Sequence, residues 1–363
     1  MSAVLERFGQ RLLFGLDPET AHHLSLKALR RGLVLGDRTR PDPCLAIHKA
    51  GLEFPNPLGM AAGYDKNAEA PDALLRLGFG FAEVGTVTPL AQPGNPRPRI
   101  FRLVEDEAVI NRLGFNNQGH AAALRRLKAR GDRTGIVGVN IGANKESTDR
   151  EADYVAGVET FAPLASYLTV NISSPNTPGL RALQGSEALA SLLGKVLDAR
   201  RRSAAETGRQ TPIFVKVAPD LSASEIEAIG AEAVRAGIDG IIVSNTTVAR
   251  EGLVGRRRDE TGGLSGKPLF ARATTVLARM RQAVGPEMVL VGAGGVNSAA
   301  TALEKIRAGA DLVQLYTGMI YGGPGLPGTI IAGLGRIVRD AGLSSISELR
   351  DSALKHWANR PLR

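Results

Sequence analysis

The sequence predicts an α/β fold: a parallel (β/α)8 barrel of the TIM type with a small N-terminal helical extension. From about Phe54 onward, one pattern recurs: a short apolar run, then Gly, Asn, Ser, Thr or Lys, then a longer segment with helical periodicity. Eight such units span roughly 280 residues, which suits a closed barrel better than an open doubly wound sheet. No GxGxxG motif follows the first run, which argues against a dinucleotide-binding sheet.

The extension before the barrel, residues 1–40, is predicted to form an amphipathic helical hairpin. Asp17 followed by Pro18 predicts the N-cap and first turn of a helix that runs to about Gly32, and residues 3–14 are a second helical candidate. The segment has seven basic and four acidic residues, a net charge of +3. Such a hairpin could lie on an anionic bilayer or pack as a cap on the barrel floor, and the spacing alone does not decide between these.

The candidate strands come next, within a barrel domain predicted over residues 41–340. They are short and almost continuously apolar, as expected of parallel strands buried on both faces. They lie at residues 58–63, 81–88, 135–142, 167–174, 213–219, 240–247, 288–295 and 312–318. The helical stretches between them would supply the crossover connections.

The last segment, residues 341–363, is predicted to be a C-terminal helical tail. From about Ser344 the sequence has the pattern of one amphipathic surface helix. It carries no residue pattern that indicates a reaction or a ligand, so no role is assigned to it.

Composition and charge limit the classes of function. With 43% hydrophobic and 22% charged residues, the chain is an ordinary globular protein, and its formal charge is +9. A positive balance suits nucleic acid, an anionic membrane surface or an anionic ligand. Because only 4% of residues are aromatic and no zinc-finger or RNP-type signature occurs, we expect no nucleic-acid partner.

Cysteine and metal chemistry are not expected either. A single cysteine, Cys44, excludes a disulfide framework and any cysteine-based zinc or iron–sulfur site. The five histidines are scattered without metal-ligand spacing, so we expect no metal. The first residues lack a secretory signal pattern and no run of 18 apolar residues occurs, which makes the cytoplasmic side the expected location.

Polar residues follow nearly every candidate strand. In a (β/α)8 barrel, catalytic groups lie where strands end and loops begin. The polar residues at these places are Lys66, Thr86, Asn140, Asn171, Ser173, Ser174, Lys216, Ser244, Asn245, Thr246, Tyr316 and Thr317. One Asn or Ser alone is commonly a cap or turn former, but the repeated placement predicts an amide-rich pocket. No GxSxG elbow or Ser-His-Asp order occurs, which disfavours hydrolysis.

Two lysines and two glycine-rich loops indicate anionic ligands. Lys66 could hold a ligand carboxylate or pair with its neighbour Asp65, and Lys216 lies in an apolar strand where an unpaired charge would be costly. The glycines of residues 262–268 and 291–298 would let backbone N–H groups approach a phosphate. These residues predict a barrel that binds a phosphorylated ligand and a small polar anion, without choosing a reaction.

A set of motifs, in order and with family spacing, resembles the class 2, quinone-dependent dihydroorotate dehydrogenases. The motifs are AAGYDKN, EVGTVTPLAQPGNPRPRIFRL, INRLGFNN, GVNIGANK, NISSPNTPGLR, VKVAPDLS, SNTT, TGGLSGKP, VGAGGV and LVQLYTG. The resemblance runs from about Asp17 to about Gly325. It implies an FMN enzyme of pyrimidine biosynthesis that oxidises (S)-dihydroorotate to orotate and passes the electrons to a membrane quinone.

The resemblance also implies residue roles by motif position. Ser174 would be the base that takes the C5 proton while a hydride leaves C6 for the flavin. Substrate contacts would be Lys66, Asn111, Arg112, Leu113, Gly114, Phe115, Asn171, Asn176, Asn245 and Thr246. Flavin contacts would be Ala62, Gly63, Tyr64, Asp65, Lys66, Thr86, Asn140, Asn171, Lys216, Ser244, Gly266, Gly295, Tyr316 and Thr317. His22 and Arg102 would lie on the quinone side.

The class assignment depends on two features of the resemblance. Class 1 members use a cysteine as base and lack the N-terminal extension, whereas this chain has Ser174 and the segment LDPETAHHL. Class 2 membership implies an anionic membrane surface as partner and a peripheral place on the cytoplasmic face of the inner (cell) membrane. The alternatives are a class 1 type enzyme that uses fumarate or NAD, and a phosphate-ligand-binding barrel without redox chemistry.

Overall fold

A computed structural model of the chain describes residues 9–10, 12–34 and 42–362. The strands are β1 (Ile47–Lys49), β2 (Leu52–Phe54), β3 (Leu58–Met60), β4 (Phe81–Val87), β5 (Ile100–Leu103), β6 (Ala108–Asn111), β7 (Ile136–Ile141), β8 (Tyr167–Asn171), β9 (Ile213–Val217), β10 (Gly240–Val243), β11 (Gly263–Gly266), β12 (Val289–Ala293) and β13 (Leu312–Leu315). Eight of them close into a parallel barrel in the order β3, β4, β7, β8, β9, β10, β12 and β13. These eight coincide with the eight predicted strands, so the barrel is confirmed.

A helix follows each barrel strand and packs outside it. The helices are α1 (Pro18–Arg30), α2 (Pro71–Arg76), α3 (Gly119–Arg130), α4 (Arg150–Phe161), α5 (Ser186–Thr207), α6 (Ala223–Ala236), α7 (Phe270–Val284), α8 (Ala299–Arg307), α9 (Thr317–Gly322), α10 (Leu326–Asp340) and α11 (Leu354–Ala358). Between β4 and α3, and between β10 and α7, the chain also inserts β5, β6 and β11. These insertions add structure at the carboxyl ends of the barrel strands.

Large aromatic rings fill the lower part of the barrel interior. Tyr167 stacks on Phe214 with ring centroids 5.0 Å apart and meets Phe81 edge-on at 6.3 Å. The rings fit because glycines stand opposite them: a Cβ on Gly138 would lie 2.1 Å from the Tyr167 ring, and one on Gly59 would lie 2.3 Å from Phe81. Side chains and not solvent therefore occupy the barrel interior beneath the loops.

Two small antiparallel sheets were not predicted from the sequence. Strands β1 and β2 form a hairpin at the amino end of the barrel, where Phe54 packs edge-on against Phe81 at 5.3 Å. Strands β5, β6 and β11 form a sheet in which Asn111 pairs with both Ile100 and Gly263. The first sheet closes the barrel floor, and the second forms a wall at the opposite end.

The N-terminal extension packs beside that wall. Asp17 caps α1 as predicted, since its carboxylate accepts hydrogen bonds from the backbone N–H groups of Glu19 and Thr20 at 3.1 and 2.9 Å. Glu19 forms ion pairs with Arg99 at 2.6 Å and Arg97 at 3.0 Å, just before β5. The extension is thus held at the carboxyl end of the barrel, and the alternative of a cap on the barrel floor is wrong.

The earlier helical candidate over residues 3–14 lies partly outside the described residues. Residues 9–10 and 12–14 are helical, and residues 1–8 and 11 are not described. The division of the chain at residues 40 and 340 stays a prediction.

The C-terminal tail differs from the single surface helix that we expected. It consists of a 3-10 turn, Ile346–Leu349, and the short helix α11, separated by Asp351 with a φ of 69°. The break lets Arg350 reach Asp311 at 2.5 Å at the barrel floor. Trp357 is buried edge-on against Phe270 with ring centroids 5.8 Å apart, so the tail is packed on the barrel rather than exposed on it.

Candidate active site

One cavity of about 670 Å³ opens at the carboxyl ends of the barrel strands and extends to α1. It is lined by most of the residues that the sequence pointed to. These are His22, Ala62, Gly63, Tyr64, Lys66, Thr86, Arg102, Asn111, Leu113, Gly114, Phe115, Asn171, Ser174, Asn176, Lys216, Ser244, Asn245, Thr246, Gly266, Gly295, Tyr316 and Thr317. Residues from the loops after separate strands thus meet in one place, as the barrel topology requires.

Three of the expected ligand contacts do not line the cavity. The Arg112 side chain turns outward, where it pairs with Glu260 at 2.8 Å and lies over the Phe101 ring at 4.5 Å. The reason is strand alternation: Asn111 at the end of β6 faces the cavity, so the next residue faces away. The Arg112 side chain therefore lies outside the cavity lining, and a contact between Arg112 and substrate stays a prediction.

The other two residues support the cavity from behind. Asp65 is fully buried and accepts hydrogen bonds from the backbone N–H groups of Asn67, Glu69 and Ala70 at 2.7 to 3.3 Å. Asn140 is also fully buried, beneath the residues that line the cavity. The side chain of Asp65 thus shapes the loop that carries Lys66 and does not itself reach the cavity.

Ser174 lies in the loop after β8 and is almost buried. Its Oγ accepts a hydrogen bond from the backbone N–H of Asn176 at 3.2 Å. Because that N–H already donates to the oxygen, the hydroxyl proton is available to another acceptor, and negative charge on Oγ would be stabilised. The arrangement suits a serine that gives up its proton to bound water while it receives one from a ligand.

Amide and hydroxyl groups behind Ser174 form a continuous hydrogen-bonded network. Asn245 Nδ2 donates to Ser173 Oγ at 2.9 Å, and this hydroxyl donates to Asn171 Oδ1 at 2.8 Å. Asn171 Nδ2 donates to Thr86 Oγ1 at 3.0 Å and to Asn140 Oδ1 at 3.2 Å. The amide-rich pocket predicted from the strand ends is therefore present, with its side chains held by one another.

The two lysines reach the cavity without a carboxylate partner among the described residues. Lys66 donates to the carbonyl oxygen of Gly63 at 2.7 Å and does not pair with Asp65, so that alternative is wrong. Burial lowers the pKa of Lys66 to about 8. Burial also lowers the pKa of Lys216, although the negative charge of Glu83 opposes this effect. Both ammonium groups would gain from an anionic or electron-rich ligand.

The glycine-rich loops form a close-fitting cradle at one end of the cavity. A Cβ on Gly266 would lie 2.3 Å from the Glu107 carbonyl oxygen, and one on Gly295 would lie 2.4 Å from Phe270. Beside them, the Thr317 hydroxyl donates to Ser265 Oγ at 2.8 Å. Glycine backbone N–H groups and small hydroxyls are the donors that suit a phosphate.

Sequence reasoning missed two buried polar residues, Gln314 on β13 and Glu83 on β4. Gln314 lines the cavity and donates from Nε2 to Glu83 at 2.8 Å, whereas its buried Oε1 has no hydrogen-bond partner among the described residues. An orphaned buried acceptor of this kind calls for a donor on a ligand. The available signal was one carboxylate or amide side chain inside each of two largely apolar runs.

The end of the cavity near α1 is apolar. The side chains that line it are Leu12, Leu13, Phe14, Leu16, Ala21, Leu24, Ala28, Leu29 and Val34. His22 lies where this part meets the polar end, with Nδ1 3.3 Å from the Tyr316 hydroxyl and its ring edge-on to Tyr64 at 5.2 Å. Burial lowers the pKa of His22 well below its ordinary value, which favours the neutral ring.

Arg102 fixes the wall of this entrance. It donates to the carbonyl oxygen of Leu13 at 3.2 Å and to that of Leu16, and its guanidinium lies 5.0 Å from the Phe14 ring centre. The small sheet is thereby joined to the helical extension. The cavity therefore has one polar end suited to anions and one apolar end suited to a hydrophobic ligand.

This chain is similar to solved structures and curated proteins that are named dihydroorotate dehydrogenases. Two Eimeria tenella structures, described as DHODH in complex with ferulenol and as ligand-free type DHODH, each superpose with a TM-score of 0.89. They are 38% and 40% identical and cover 96% and 95% of this chain, and 99% and 100% of their own. A curated protein of Mesorhizobium japonicum, named dihydroorotate dehydrogenase (quinone), is 65% identical over 99% of each chain.

The family assignment rests on similarity over the whole chain. A Brucella ovis protein of the same name is 62% identical over 100% of both chains. A family model described as dihydroorotate dehydrogenase matches residues 44–338, which include all the barrel strands. With the barrel, the cavity and its lining residues, these similarities lead to one conclusion: the chain belongs to the dihydroorotate dehydrogenase family.

Proposed function

We propose that this protein is a class 2 dihydroorotate dehydrogenase, which oxidises (S)-dihydroorotate to orotate in pyrimidine biosynthesis and passes the electrons to a quinone. The observation that carries the proposal is a cavity with two chemically different ends. Relatives 62 and 65% identical are named for the quinone reaction, and Ser174 stands where class 1 enzymes have a cysteine. These features favour a quinone over fumarate or NAD as the electron acceptor.

The family is flavin-dependent, and we propose that the flavin here is FMN. The residues fit this group: the glycine cradle and Thr317 suit its phosphate, the ammonium of Lys216 suits an electron-rich ring, and Gln314 Oε1 suits an N–H donor. When bound, FMN supplies a hydride acceptor that can be reoxidised by a second substrate. The protein's part is to hold the ring between the polar and apolar ends of the cavity.

The polar end of the cavity would hold dihydroorotate. Lys66 would bind the substrate carboxylate, since it lines the cavity and its ammonium has only a carbonyl oxygen as partner among the described residues. The side chains of Asn111, Asn176 and Asn245 line the same end and suit the alternating carbonyl and N–H groups of a ureide ring. An ion pair and several directional hydrogen bonds would therefore fix which ring carbon faces Ser174.

Ser174 would remove the C5 proton. An isolated serine hydroxyl is a poor base because its pKa is far above neutrality, so it needs help from its surroundings. The Asn176 N–H bonded to Oγ would stabilise the developing negative charge, and Lys66 would polarise the substrate through its carboxylate. The hydroxyl proton would then pass to water as Oγ takes the substrate proton.

The apolar end would admit the quinone from a membrane. The entrance carries exposed leucines, Leu12, Leu16 and Leu24, and Leu33 is exposed near the end of α1. Together with the +3 charge of residues 1–40, this surface suits an anionic bilayer. We therefore place residues 1–40 peripherally on the cytoplasmic face of the inner (cell) membrane.

The helices of the described ranges include none that is both long and apolar enough to cross a membrane.

The proposed function is tested by an anaerobic titration of the purified protein. Dihydroorotate should bleach the flavin absorbance, and a quinone should restore it much faster than fumarate or NAD. Reoxidation by fumarate or NAD at the quinone rate would contradict the class 2 assignment. A protein without flavin absorbance that does not respond to dihydroorotate would support the non-redox alternative instead.

A further inference from the structure

A buried carboxylate lies beneath the cavity and has no role in the chemistry described so far. Glu83 is fully buried in the middle of β4. It accepts hydrogen bonds from Asn140 Nδ2 at 2.8 Å, Tyr167 OH at 3.0 Å and Gln314 Nε2 at 2.8 Å. A buried charge that forms no ion pair among the described residues is costly, so its retention in the barrel interior needs an explanation.

The chemistry of a carboxylate fixes the orientation of the groups around it. An ionised carboxylate only accepts hydrogen bonds, so Asn140 must turn its NH₂ group toward Glu83. Its Oδ1 then faces the cavity side, where it accepts from Thr86 Oγ1 at 2.5 Å and from Asn171 Nδ2 at 3.2 Å. Asn171 must therefore present its NH₂ group to Asn140 and Thr86, and cannot present its oxygen.

The same constraint also fixes the donor and acceptor groups at the polar end of the cavity. With its NH₂ group committed, Asn171 has only Oδ1 left for Ser173, whose hydroxyl must donate to it. That hydroxyl oxygen then accepts from Asn245 Nδ2, and Asn245 Oδ1 accepts from the backbone N–H of Thr246 at 2.7 Å. The second N–H of Asn245 has no acceptor among the described residues and can donate into the cavity. Each hydrogen bond that links Asn245, Ser173, Asn171 and Asn140 is donated in the direction of Glu83.

We propose that Glu83 is a positioning residue that sets the donor direction of the hydrogen-bonded chain Asn140, Asn171, Ser173 and Asn245. Only the identity of the ligands, orotate and the flavin, rests on the proposed function. A glutamine at position 83 would have the same shape, but it would carry an NH₂ group among three donors and no charge. With its NH₂ group toward Asn140 the glutamine would reverse the donor direction, and with its oxygen toward Asn140 it would oppose Tyr167 and Gln314 instead. Two arrangements would thus replace the single one that the carboxylate fixes.

The direct test is Glu83→Gln in the flavin-loaded protein. Loss of the fixed direction should raise the dissociation constant of orotate about tenfold, as expected for a weakened hydrogen bond to a buried polar ligand. Loss of the negative charge should also shift the flavin reduction potential to a more positive value. Orotate binding is measured by the perturbation of the flavin spectrum, and the potential by equilibration with redox dyes, so neither measurement depends on turnover.

Three variants separate positioning from a merely structural role. Asp311→Asn changes another buried carboxylate at the barrel floor, where it pairs with Arg281 at 2.7 Å, and should lower Tm without changing orotate affinity or potential. Tyr167→Phe removes a hydrogen bond to Glu83 that is not part of the series Asn140, Asn171, Ser173 and Asn245. It should therefore change the orotate affinity and the flavin reduction potential little. Glu83→Asp keeps the negative charge, so the flavin reduction potential of this variant should stay near that of the original protein. Orotate binding can still weaken because the aspartate side chain is shorter.

If Glu83→Gln does not fold, a second variant tests the proposal by interrupting the hydrogen-bonded chain of side chains at another point. Ser173→Ala leaves Glu83 in place but disconnects Asn245 from Asn171, so it should weaken orotate binding and leave the potential unchanged. Unchanged orotate affinity in Ser173→Ala, or unchanged affinity and potential in Glu83→Gln, would overturn the proposal. If the unmodified protein fails to bind orotate, the proposed function fails instead, which keeps the two failures distinct.

Discussion

At the scale of single residues, the proposed role of Ser174 as the base can be tested most directly. Its surroundings contain a backbone donor and no histidine or carboxylate hydrogen-bonded to Oγ among the described residues. Ser174→Ala should therefore keep the yellow flavin and bind orotate, yet lose turnover by about 10² to 10⁴-fold, the usual contribution of a proton-transfer group. The check is the rate of flavin reduction by dihydroorotate in stopped flow. A rate equal to that of the original protein would remove Ser174 as the base.

Lys66 leads to a prediction about pH. Burial lowers its pKa to about 8, so in the free protein the ammonium is charged below that pH and becomes neutral above it. Because we propose that the charged form binds the substrate carboxylate, kcat/KM should fall as pH rises through about 8, mainly through a higher KM. Bound substrate favours the ammonium, so kcat should vary less over the same range.

The variant Lys66→Met identifies the group responsible. It should weaken substrate binding at every pH and remove the decline in kcat/KM near pH 8. If the decline persists in Lys66→Met, another group causes it.

At the scale of elements, α1 is held to the barrel by a buried ion pair. Burial alone would raise the pKa of Glu19, but the hydrogen bonds and charges of Arg99 and Arg97 outweigh burial and lower it. The carboxylate therefore stabilises the docked helix above the ordinary pKa range of glutamate, and this contribution is lost as pH falls through the lowered value. We expect α1 to detach from the barrel in acid before the barrel itself unfolds.

Glu19→Gln should reproduce this detachment at neutral pH. It leaves the buried Arg99 without its counter-charge, which typically costs about 3 to 5 kcal/mol. Hydrogen exchange should show α1 amides losing protection while the barrel strands keep theirs. The matched control is Glu53→Gln at the barrel floor, which should leave exchange unchanged. The Glu53 side chain is 84% exposed, and among the residues that the structure describes it pairs only with His48. Equal exchange in both variants would contradict the anchoring role.

The elements also differ in how well the sequence predicts them. The barrel strands were predictable because each is a continuous apolar run, whose burial on both faces depends on composition alone. The sheet of β5, β6 and β11 was not, because Asn111 and Gly263 are far apart in the chain and each strand has only four residues. The tail was predicted as one helix because its apolar spacing is helical, but the ion pair between Arg350 and Asp311 is a tertiary contact that no local pattern contains.

Prediction of the site has a similar limit. Residues at strand ends could be found because barrel topology gathers them, whatever the details of the loops. Arg112 was assigned to the cavity from its motif, and only the alternation along β6 shows that it faces away. Glu83 and Gln314 were missed because a single polar residue in an apolar run gives no indication of its partner on another strand.

At the scale of the whole molecule, we propose that dihydroorotate and the quinone occupy opposite ends of one cavity, so the two half-reactions should be separable by mutation. Leu16 and Leu24 line the apolar entrance and are 41% and 44% exposed. Replacing both with Glu adds negative charge where we expect an anionic bilayer, at a cost of roughly 1 kcal/mol for each charge near the surface. The double variant should bind anionic vesicles and reduce a long-chain quinone in them about thirtyfold less well, since two such charges cost roughly 2 kcal/mol.

Flavin reduction by dihydroorotate should remain unchanged in the same protein, because the polar end lies beyond Tyr316 and His22. The control is Val234→Glu on α6, where a 51% exposed side chain lies outside the cavity lining. It should affect neither vesicle binding nor either half-reaction. A double variant that loses both half-reactions equally would mean that the leucines stabilise the site as a whole. Full activity on vesicle quinone would mean that the acceptor enters by another route.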